Sequence, residues 1–417
     1  MKKDKIGILS LGCPRNLVDS ENILGRLKAK GHSVVDIAQA DVAIVNTCAF
    51  IEDAKKESID AILDLVELKK EGKLKKIIVA GCLAERYSEQ LIKEIPEVDA
   101  FSGRISLNHC TKSFSITPKH YAYLKICEGC VNNCSFCVIP KIKGKFSSLE
   151  MEATLAKVKE FDRRGVKELN IIGQDICGYG LDIYGKRKLP ELLKKIVKTA
   201  KNIEWIRLLY LYPGEVVEEL LEIIRDEPKV CKYIDLPVQH INDRILKLMN
   251  RGTTRVSLLK LIDKIRSKIP GVAIRTSVIV GFPTETEEEF LELLKFIEDT
   301  GFERLGAFIY SREEDTPAYA LKPQVPQKIK EARLEAVMLK QQEISLRINS
   351  GFMGKEIPVL IEEIDNGAYL GRTQIDAPEV DGQVYVSSPR ALKPGDLVKV
   401  KITDTLEYDL VGEWIKK

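Results

Sequence analysis

Three cysteines lie close together near position 130, where Cys130, Cys134 and Cys137 have the spacing Cys-x3-Cys-x2-Cys. Three thiolates at this spacing can hold three irons of a four-iron–four-sulfur cube and leave the fourth iron open for chemistry. Phe136 adds an aromatic face beside the last cysteine. Cys127 precedes the run and could supply a fourth ligand, so a structural zinc site that uses all four cysteines is an alternative.

An open iron beside an aromatic side chain is suited to S-adenosylmethionine, whose amino and carboxylate groups can chelate the metal. Electron transfer into the sulfonium breaks a carbon–sulfur bond and releases a 5′-deoxyadenosyl radical, which abstracts hydrogen from unactivated carbon. Because this chemistry takes place on the cofactors, we predict no side-chain acid or base. The run favours a cluster over zinc, since zinc sites usually place a longer loop between two Cys-x2-Cys halves.

Three more cysteines directly follow strand-like runs, and these are Cys13, Cys48 and Cys82. The carboxyl ends of parallel strands share one edge of a sheet, so the three thiols are predicted to converge on a second metal site. Three ligands again imply an open iron, here one able to carry an extra sulfur or a methylthio group. A lone buried cysteine is more often a small hydrophobic residue, which is the default interpretation of Cys110, Cys177 and Cys231.

The chain divides into three segments that must position these cysteines. Residues 1–115 alternate strands and helices, which predicts a flavodoxin-like parallel sheet. Residues 116–347 continue in six strand–helix units, which predicts a partial TIM-type (β/α)6 barrel with function at the carboxyl ends of its strands. Residues 349–417 contain short strands separated by Gly, Pro and Asp, which predicts a small antiparallel β-barrel.

Several polar residues and glycines follow predicted barrel strands, where they could reach a cofactor. A turn would explain each glycine-containing segment by itself, and a single histidine at a strand end is more often structural than catalytic. Their shared position at the functional end of the barrel nevertheless favours cofactor binding. The predicted cofactor-binding residues, including the aromatic one beside the cysteine run, are Phe136, Gln174, Asp175, His240, Gly281 and Glu285.

Composition excludes several classes of protein. The chain of 417 residues has a formal net charge of only +3, which is unlike a basic nucleic-acid binder. The sequence has no apolar stretch long enough for a membrane span and no signal-peptide pattern near its start. Ten cysteines in such a chain suggest metal binding or catalysis over disulfides. We therefore predict a cytoplasmic protein without a membrane partner.

Five blocks of sequence follow one family pattern: LGCPRNLVDSE (11–21), NTCAFIEDAKKESID (46–60), GCLAERY (81–87), EGCVNNCSFCVIP (128–140) and DLPVQH (235–240). Through them the chain resembles radical S-adenosylmethionine (SAM) methylthiotransferases along essentially its whole length. The resemblance implies a methylthiotransferase domain, a radical SAM core and a TRAM domain, with SAM and two four-iron–four-sulfur clusters as cofactors. It implies ligation of the radical cluster by Cys130, Cys134 and Cys137. The auxiliary, sulfur-delivering cluster would be ligated by Cys13, Cys48 and Cys82.

Two branches of this family differ in substrate, which is a tRNA adenosine in one and an aspartate of ribosomal protein S-twelve in the RimO branch. LGCPRN, CAFIEDAKKESID and RTQIDAPEVDGQVYV (372–386) look like the RimO branch. Independently, residues 349–417 hold eight Lys/Arg and twelve Asp/Glu, a net charge of −4, whereas RNA binding depends on Lys and Arg. An acidic face suits a basic ribosomal protein.

We therefore predict that the protein methylthiolates the β-carbon of the S-twelve aspartate, with an electron donor as a further partner and no nucleic acid as direct substrate. The acidic loop DAPEVDG (376–382) of the TRAM domain is the predicted contact with the protein substrate. Methylthiolation of a tRNA adenosine is the alternative within the family. A zinc-bearing adaptor without catalysis is the alternative outside it.

The chain departs from the family pattern after the cysteine run, where IKGKFSSLE (142–150) contains no arginine. The contacts that the family's arginines make would then be supplied by Lys141, Lys143 and Lys145. Cys127 stands where the family commonly has Ser. The family register and the need for an open iron leave Cys127 as a neighbour of the cluster and not a ligand.

Overall fold

The structure is a computed structural model, and it describes residues 4–105, 114–365 and 367–416. Cys110 lies outside these residues. Each of the nine cysteines that the structure describes is a free thiol. Within the same residues, no helix is both long enough and apolar enough to cross a membrane.

The amino-terminal segment is a five-stranded parallel sheet with the strand order β2-β1-β3-β4-β5. This is the flavodoxin-like order, so the predicted fold of this segment is confirmed. Every residue of β3 is buried, as expected for a central strand covered on both faces. Its strands are β1 Lys5–Ser10, β2 Ser33–Val34, β3 Val42–Thr47, β4 Lys76–Gly81 and β5 Ala100–Ser102, and its helices are α1 Pro14–Ala29, α2 Glu52–Lys70 and α3 Cys82–Glu94.

The middle segment is an open barrel of six parallel strands. Two three-stranded sheets, β10-β9-β6 and β11-β12-β13, meet where Leu211 N donates to Asp235 O at 3.0 Å. Among the described residues no pairing joins the outer strands β6 and β13, so the partial (β/α)6 barrel is confirmed. In chain order the barrel strands are β6 Tyr121–Lys125, β9 Glu168–Ile172, β10 Trp205–Leu208, β11 Tyr233–Asp235, β12 Ala273–Val280 and β13 Arg304–Ile309. The short strands β7 Cys127–Glu128 and β8 Ser147–Ser148 form a separate antiparallel pair.

Helices cover the outside of this barrel and bury one continuous apolar core against its strands. The last of them, α12, ends at Ser350, slightly beyond the predicted end of the segment. The helices are α4 Ile139–Lys143, α5 Met151–Arg163, α6 Leu181–Tyr184, α7 Leu189–Thr199, α8 Glu218–Asp226, α9 Asp243–Leu248, α10 Arg255–Lys268, α11 Glu287–Thr300 and α12 Gln327–Ser350.

The carboxyl-terminal segment is a closed five-stranded barrel with the order β14-β15-β16-β18-β17. The predicted small barrel is confirmed, but one of its pairings differs from the prediction. Strands β16 and β18 run parallel, because the long strand β17 lies between them in the chain and pairs with the other side of β18. The strands are β14 Glu356–Asp365, β15 Ala368–Arg372, β16 Val384–Ser387, β17 Leu397–Thr405 and β18 Leu410–Trp414.

The acidic loop 376–382 lies against the radical core, and its three carboxylates accept hydrogen bonds from barrel residues. The Asp376 carboxylate accepts a hydrogen bond from Arg304 Nη2 at 2.5 Å, and Asp381 accepts one from the Tyr233 hydroxyl at 2.6 Å. Glu379 accepts a hydrogen bond from the Tyr121 hydroxyl at 2.7 Å. Glu379 and Val380 remain exposed beside these internal pairs, so the contact of this loop with the protein substrate stays a prediction.

A cluster of buried charges continues this contact at the amino-terminal end of the barrel strands. Glu168 accepts from Arg207 Nε at 2.8 Å and from Arg372 Nη2 at 2.5 Å, and these side chains are at most 2% exposed. Arg372 also donates to Glu362, whose other close partner is His120. We call Glu168, Arg207, Arg372 and Glu362 the barrel-base cluster. It joins the TRAM domain to the barrel at the end opposite the cysteines.

Acid should weaken this junction through Glu362. Burial alone would raise the pKa of this carboxyl, but His120 and Arg372 outweigh it and lower the pKa from 4.5 to about 2. A depressed folded-state pKa stabilises the fold above pH 4.5, and that stability is lost as the pH falls toward 2. Denaturant unfolding should therefore give the wild type a higher free energy of unfolding than Glu362→Gln. This difference should be largest at pH 6 and smaller at pH 3.5. For the exposed control Glu413→Gln, the difference from the wild type should not change between these pH values. A pH-independent difference for Glu362→Gln would contradict the pairing of Glu362 with His120 and Arg372.

Candidate active site

The first set of cysteines lies at the carboxyl ends of β1, β3 and β4, as the strand pattern predicts. Cys13 is the cap residue before α1, Cys48 follows β3, and Cys82 is the first residue of α3. Asn16 holds these strand ends together. Its Nδ2 donates to Thr47 O at 2.9 Å, and its Oδ1 lies 3.8 Å from Cys82 Sγ.

A glycine allows the first two cysteines to approach each other. Gly12 has φ +84°, and a Cβ atom at this position would lie 2.7 Å from Cys48 Cβ and 3.0 Å from Cys48 Sγ. A side chain at position 12 would therefore push Cys48 away from Cys13 as well as strain the backbone.

The three thiols differ in how readily they lose a proton. Burial raises the pKa of Cys82 to about 12 and raises that of Cys48. Burial also acts against ionisation of Cys13, but the neighbouring Arg15 guanidinium outweighs it and lowers the pKa of this thiol. A bound metal would supply positive charge that stabilises the thiolate form, and it would thereby favour ionisation of these two buried thiols.

The second set of cysteines occupies the loop between β7 and α4. The Asn132 backbone N–H donates to Cys130 Sγ at 3.4 Å, and Arg251 Nη1 donates to Cys134 Sγ at 3.5 Å. Burial raises the pKa of Cys137 to about 12. Hydrogen bonds to the sulfurs are the usual way in which a protein supports an iron–sulfur cluster, so the donors already point at two of the three thiols.

Cys127 is separated from this set by its own contacts. It is fully buried, its thiol donates to Asp175 O at 3.6 Å, and it lies against Gly173. Burial raises the pKa of Cys127 well above the usual thiol value. A protonated thiol with an internal acceptor is a packing residue, which favours the assignment of Cys127 as a neighbour of the cluster.

Two of the predicted cofactor-binding residues lie beside the second set. Asp175 accepts from Asn132 Nδ2 at 2.7 Å, and burial raises the pKa of Asp175. Gln174 Nε2 donates to Glu128 at 3.0 Å, while Gln174 Oε1 is buried and has no hydrogen-bond partner among the described residues. A buried acceptor without a partner fits a ligand that brings a donor, such as the amino group of SAM.

The aromatic residue of the cysteine run lies in a small apolar cluster. Phe136 is half-buried and packs on a group that includes Met249, Phe282 and Tyr310. These residues come from the ends of α9 and β12 and from the segment after β13. The ring therefore fixes the cysteine loop against the opposite side of the barrel.

The other three predicted residues form a separate buried network. Glu285 Oε1 contacts His240 Nε2 at 3.0 Å, and Glu285 Oε2 accepts from Gly281 N at 2.5 Å and from Arg333 Nη1 at 2.7 Å. His240 Nδ1 accepts from Asn242 N at 3.0 Å, so Nε2 carries the proton and donates to the carboxylate. Both oxygens of Glu285 are therefore used within the chain, and cofactor binding by His240, Gly281 and Glu285 stays a prediction.

The sequence patterns missed Arg15, which lies between the two sets of cysteines. Its Nε donates to Cys13 Sγ at 3.3 Å, and its Nη1 donates to Gly173 O, at the end of β9, at 3.1 Å. Its guanidinium also lies 4.4 Å from the centre of the Tyr210 ring. Arg15 thus ties the amino-terminal domain to the mouth of the barrel. The only sequence signal was its position two residues after a candidate ligand.

A second link between the domains is a group of four buried charges. Lys125 pairs with Asp19 and, at 2.5 Å, with Glu128, while Lys143 pairs with Asp19 at 3.3 Å and with Glu128 at 3.0 Å. Lys143 is one of the residues that stand where the family pattern has arginines. It therefore supplies a buried ion pair across the domain boundary, and its charge acts against the larger effect of burial on the pKa of Cys82.

The two cysteine sets offer the kind of donor that iron–sulfur clusters use. Among the described residues, no group of three or more His, Cys, Asp or Glu side chains is close enough to hold one metal ion. A four-iron cube spreads its thiolate ligands more widely than a single tetrahedral ion does, and each set offers three soft thiols. Of the remaining cysteines, Cys177 and Cys231 are buried in apolar clusters, in agreement with their default interpretation.

Comparison with known proteins gives three domain matches in the same order as the three structural segments. They are "Uncharacterized protein family UPF0004" over residues 5–103, the radical SAM superfamily over 124–297 and a TRAM domain over 353–415. The chain is 49% identical to the "Ribosomal protein uS12 methylthiotransferase RimO" of Caldanaerobacter subterraneus, covering 98% of this chain and 99% of the relative. It is 47% identical to the protein of the same name from Clostridioides difficile, covering 98% of each. The chain belongs to the RimO family.

Solved structures show the same fold at much lower identity. TsrM from Kitasatospora setae, a radical SAM methyltransferase, matches with a TM-score of 0.56 and 12% identity over 76% of this chain and 74% of that one. The cobalamin-dependent SAM radical enzyme OxsB matches with a TM-score of 0.54 and 14% identity over 81% of this chain and 56% of that one. Membership of the RimO family and its radical SAM domain give the chain two four-iron–four-sulfur clusters and SAM as cofactors.

Replacing Cys127 tests whether this RimO-family chain uses three or four cysteines in its radical cluster. Cys127→Ser should keep the iron content of the wild type and its cleavage of SAM, because the hydroxyl can keep the contact with Asp175 O. The matched variant Cys130→Ser should lose iron and cleavage together. Iron analysis and product chromatography of both anaerobically purified variants provide the measurement. Loss of iron in Cys127→Ser would mean that Cys127 is a ligand.

Proposed function

We propose that the protein methylthiolates the β-carbon of an aspartate in ribosomal protein uS12, the S-twelve protein of the small subunit, in the cytoplasm. The reaction converts a C–H bond to C–S–CH3. The observation that carries the proposal is the presence of two three-cysteine sets on the two sides of Arg15, at the facing ends of a flavodoxin-like sheet and a radical SAM barrel. The full-length likeness to proteins named uS12 methylthiotransferase supplies the substrate.

Two sites in the chain would carry out radical formation and sulfur delivery. Cys130, Cys134 and Cys137 would hold the radical cluster, and Cys13, Cys48 and Cys82 the auxiliary cluster. When bound, the clusters and SAM supply the radical, the sulfur and the methyl group, with an external electron donor for reduction. The contacts of Arg15 and the ion pairs of Lys143 hold the two sites at a fixed separation, which a transfer between them requires.

Charge supports a protein substrate over RNA. The TRAM domain carries a net charge of −4, and a surface that binds RNA would need to neutralise phosphates with Lys and Arg. Although loop 376–382 is used within the chain, other acidic residues of this domain are exposed. They are Glu356, Glu363, Asp365, Asp404, Glu407 and Glu413. We propose that a basic ribosomal protein binds to exposed carboxylates of this domain.

Mass spectrometry of the substrate tests the proposal. Reduced, cluster-reconstituted protein is incubated with SAM and uS12, and we expect a mass gain on uS12 that corresponds to one methylthio group on an aspartate. A uS12 variant with that aspartate changed to alanine should remain unmodified. Absence of the gain on wild-type uS12 would contradict the proposal, and a methylthio group on a tRNA adenosine would identify the other branch. Colourless protein that carries zinc would favour the adaptor.

A further inference from the structure

The position of Arg15 suggests a role beyond joining two domains. Its guanidinium is in direct contact with Cys13 of the first set. Its Nη1 also donates to Gly173 O at 3.1 Å, and Asp175, two residues further along the chain, accepts from Asn132 of the second cysteine loop at 2.7 Å. Gly12 is exposed, and Cys13 and Arg15 are half-exposed, so a macromolecular substrate can reach this point.

Three other cations near the cysteines are already engaged within the chain. Lys125 and Lys143 are buried and paired with the carboxylates of Asp19 and Glu128. Arg251 donates to Cys134 Sγ and to Pro237 O, and its guanidinium lies over the Tyr212 ring. Of the two cysteine sets, it therefore contacts the second. Arg15 uses Nε and Nη1, while its Nη2 has no hydrogen-bond partner among the described residues.

We propose that Arg15 binds the side-chain carboxylate of the substrate aspartate through its remaining donors, and thereby selects aspartate over residues without a carboxylate. The reacting β-carbon is bonded directly to the carboxylate carbon. A guanidinium that lies between the two cysteine sets and holds this carboxylate therefore places the β-carbon between them as well. The contacts with Cys13, Gly173 and Tyr210 fix the guanidinium in advance, which lowers the entropic cost of binding.

The chemistry of the two groups supports this pairing. A guanidinium presents a planar fork of donors that matches a carboxylate, whereas a lysine offers a point charge. A tRNA adenosine has no carboxylate to offer. The inference rests on the proposed function, because it concerns the substrate aspartate. Its test must therefore distinguish a failure of the Arg15 inference from a failure of the proposed function.

The test compares two peptides on the cluster-loaded protein without reductant, so that no turnover occurs. One labelled peptide spans the modified aspartate of uS12, and the other has asparagine at that position. Fluorescence anisotropy gives the ratio of their Kd values. The wild type should prefer the aspartate peptide by roughly 10- to 100-fold, the usual range for a hydrogen bond to a charged group. Arg15→Gln should bring the ratio near one, and Arg15→Lys should give an intermediate ratio.

The control Arg225→Gln, at an exposed arginine of α8, should keep the wild-type ratio. An unchanged ratio in Arg15→Gln would overturn the inference. If that variant binds neither peptide, Arg15→Lys decides in its place: a lowered ratio supports the inference and an unchanged one overturns it. A wild-type ratio near one, with methylthiolation of uS12 still observed, overturns the inference and leaves the proposed function intact. Failure of the wild type to modify uS12 at all is instead a failure of the proposed function.

Discussion

Replacing Cys13, Cys48 and Cys82 together by alanine should remove about half of the iron and abolish methylthio transfer, while cleavage of SAM continues. The structure places these thiols at the ends of β1, β3 and β4, on the amino-terminal side of Arg15. Their removal leaves the Cys130–Cys137 loop and its contacts with Asn132 and Arg251 in place. The radical site should therefore still form in a protein that has lost its source of sulfur.

Three measurements follow this variant, namely iron content, 5′-deoxyadenosine formation and the mass of uS12. The opposite variant, with alanine at Cys130, Cys134 and Cys137, should lose both cleavage and transfer. Cys231→Ala is a matched control, because this buried cysteine packs in another cluster and should keep all three measurements at wild-type values. Loss of SAM cleavage in the first variant would mean that the roles of the two sets are misassigned.

Removing the charge of Glu168 should give the largest loss of stability, about 3–5 kcal/mol, which is the cost of breaking a buried ion pair by removing one partner. The Glu168→Gln variant leaves Arg207 and Arg372 buried with an uncharged neighbour. Burial alone would raise the pKa of Glu168, yet Arg372 and Arg207 outweigh it and lower the pKa. The carboxylate is therefore the charge that allows two arginines to be buried together.

Denaturant unfolding and hydrogen exchange measure this effect. We expect faster exchange of the backbone amides of residues 372–381, because Arg372 joins the TRAM domain to the barrel and the loop that follows it is seated on barrel residues. The control Arg225→Ala removes one member of an exposed ion pair, and such pairs contribute little. Wild-type stability in Glu168→Gln would show that the barrel-base cluster does not hold the TRAM domain.

Much of the fold follows from sequence patterns that repeat locally. Strands β3 and β4 are the strand-like runs that were predicted directly before Cys48 and Cys82, because continuous apolar runs mark buried parallel strands. The two-residue strand β2 and the three-residue strand β5 were missed, since such short edge strands carry no periodic signal. The parallel pairing of β16 and β18 was also missed, because local patterns do not specify which strands become neighbours.

The sequence by itself determined the three segments, the two sets of cysteines and the chemistry that they allow. Ligand type, ligand spacing and strand periodicity are local properties, and the chain displays them without folding. Only the tertiary structure decided which residues connect the three domains around these cysteines. It placed Arg15 between Cys13 and the mouth of the barrel, paired Lys143 across the domain boundary, and turned the acidic TRAM loop toward the barrel. Each of these results depends on contacts between residues far apart in the chain, and the charge of a segment does not reveal which partner neutralises it.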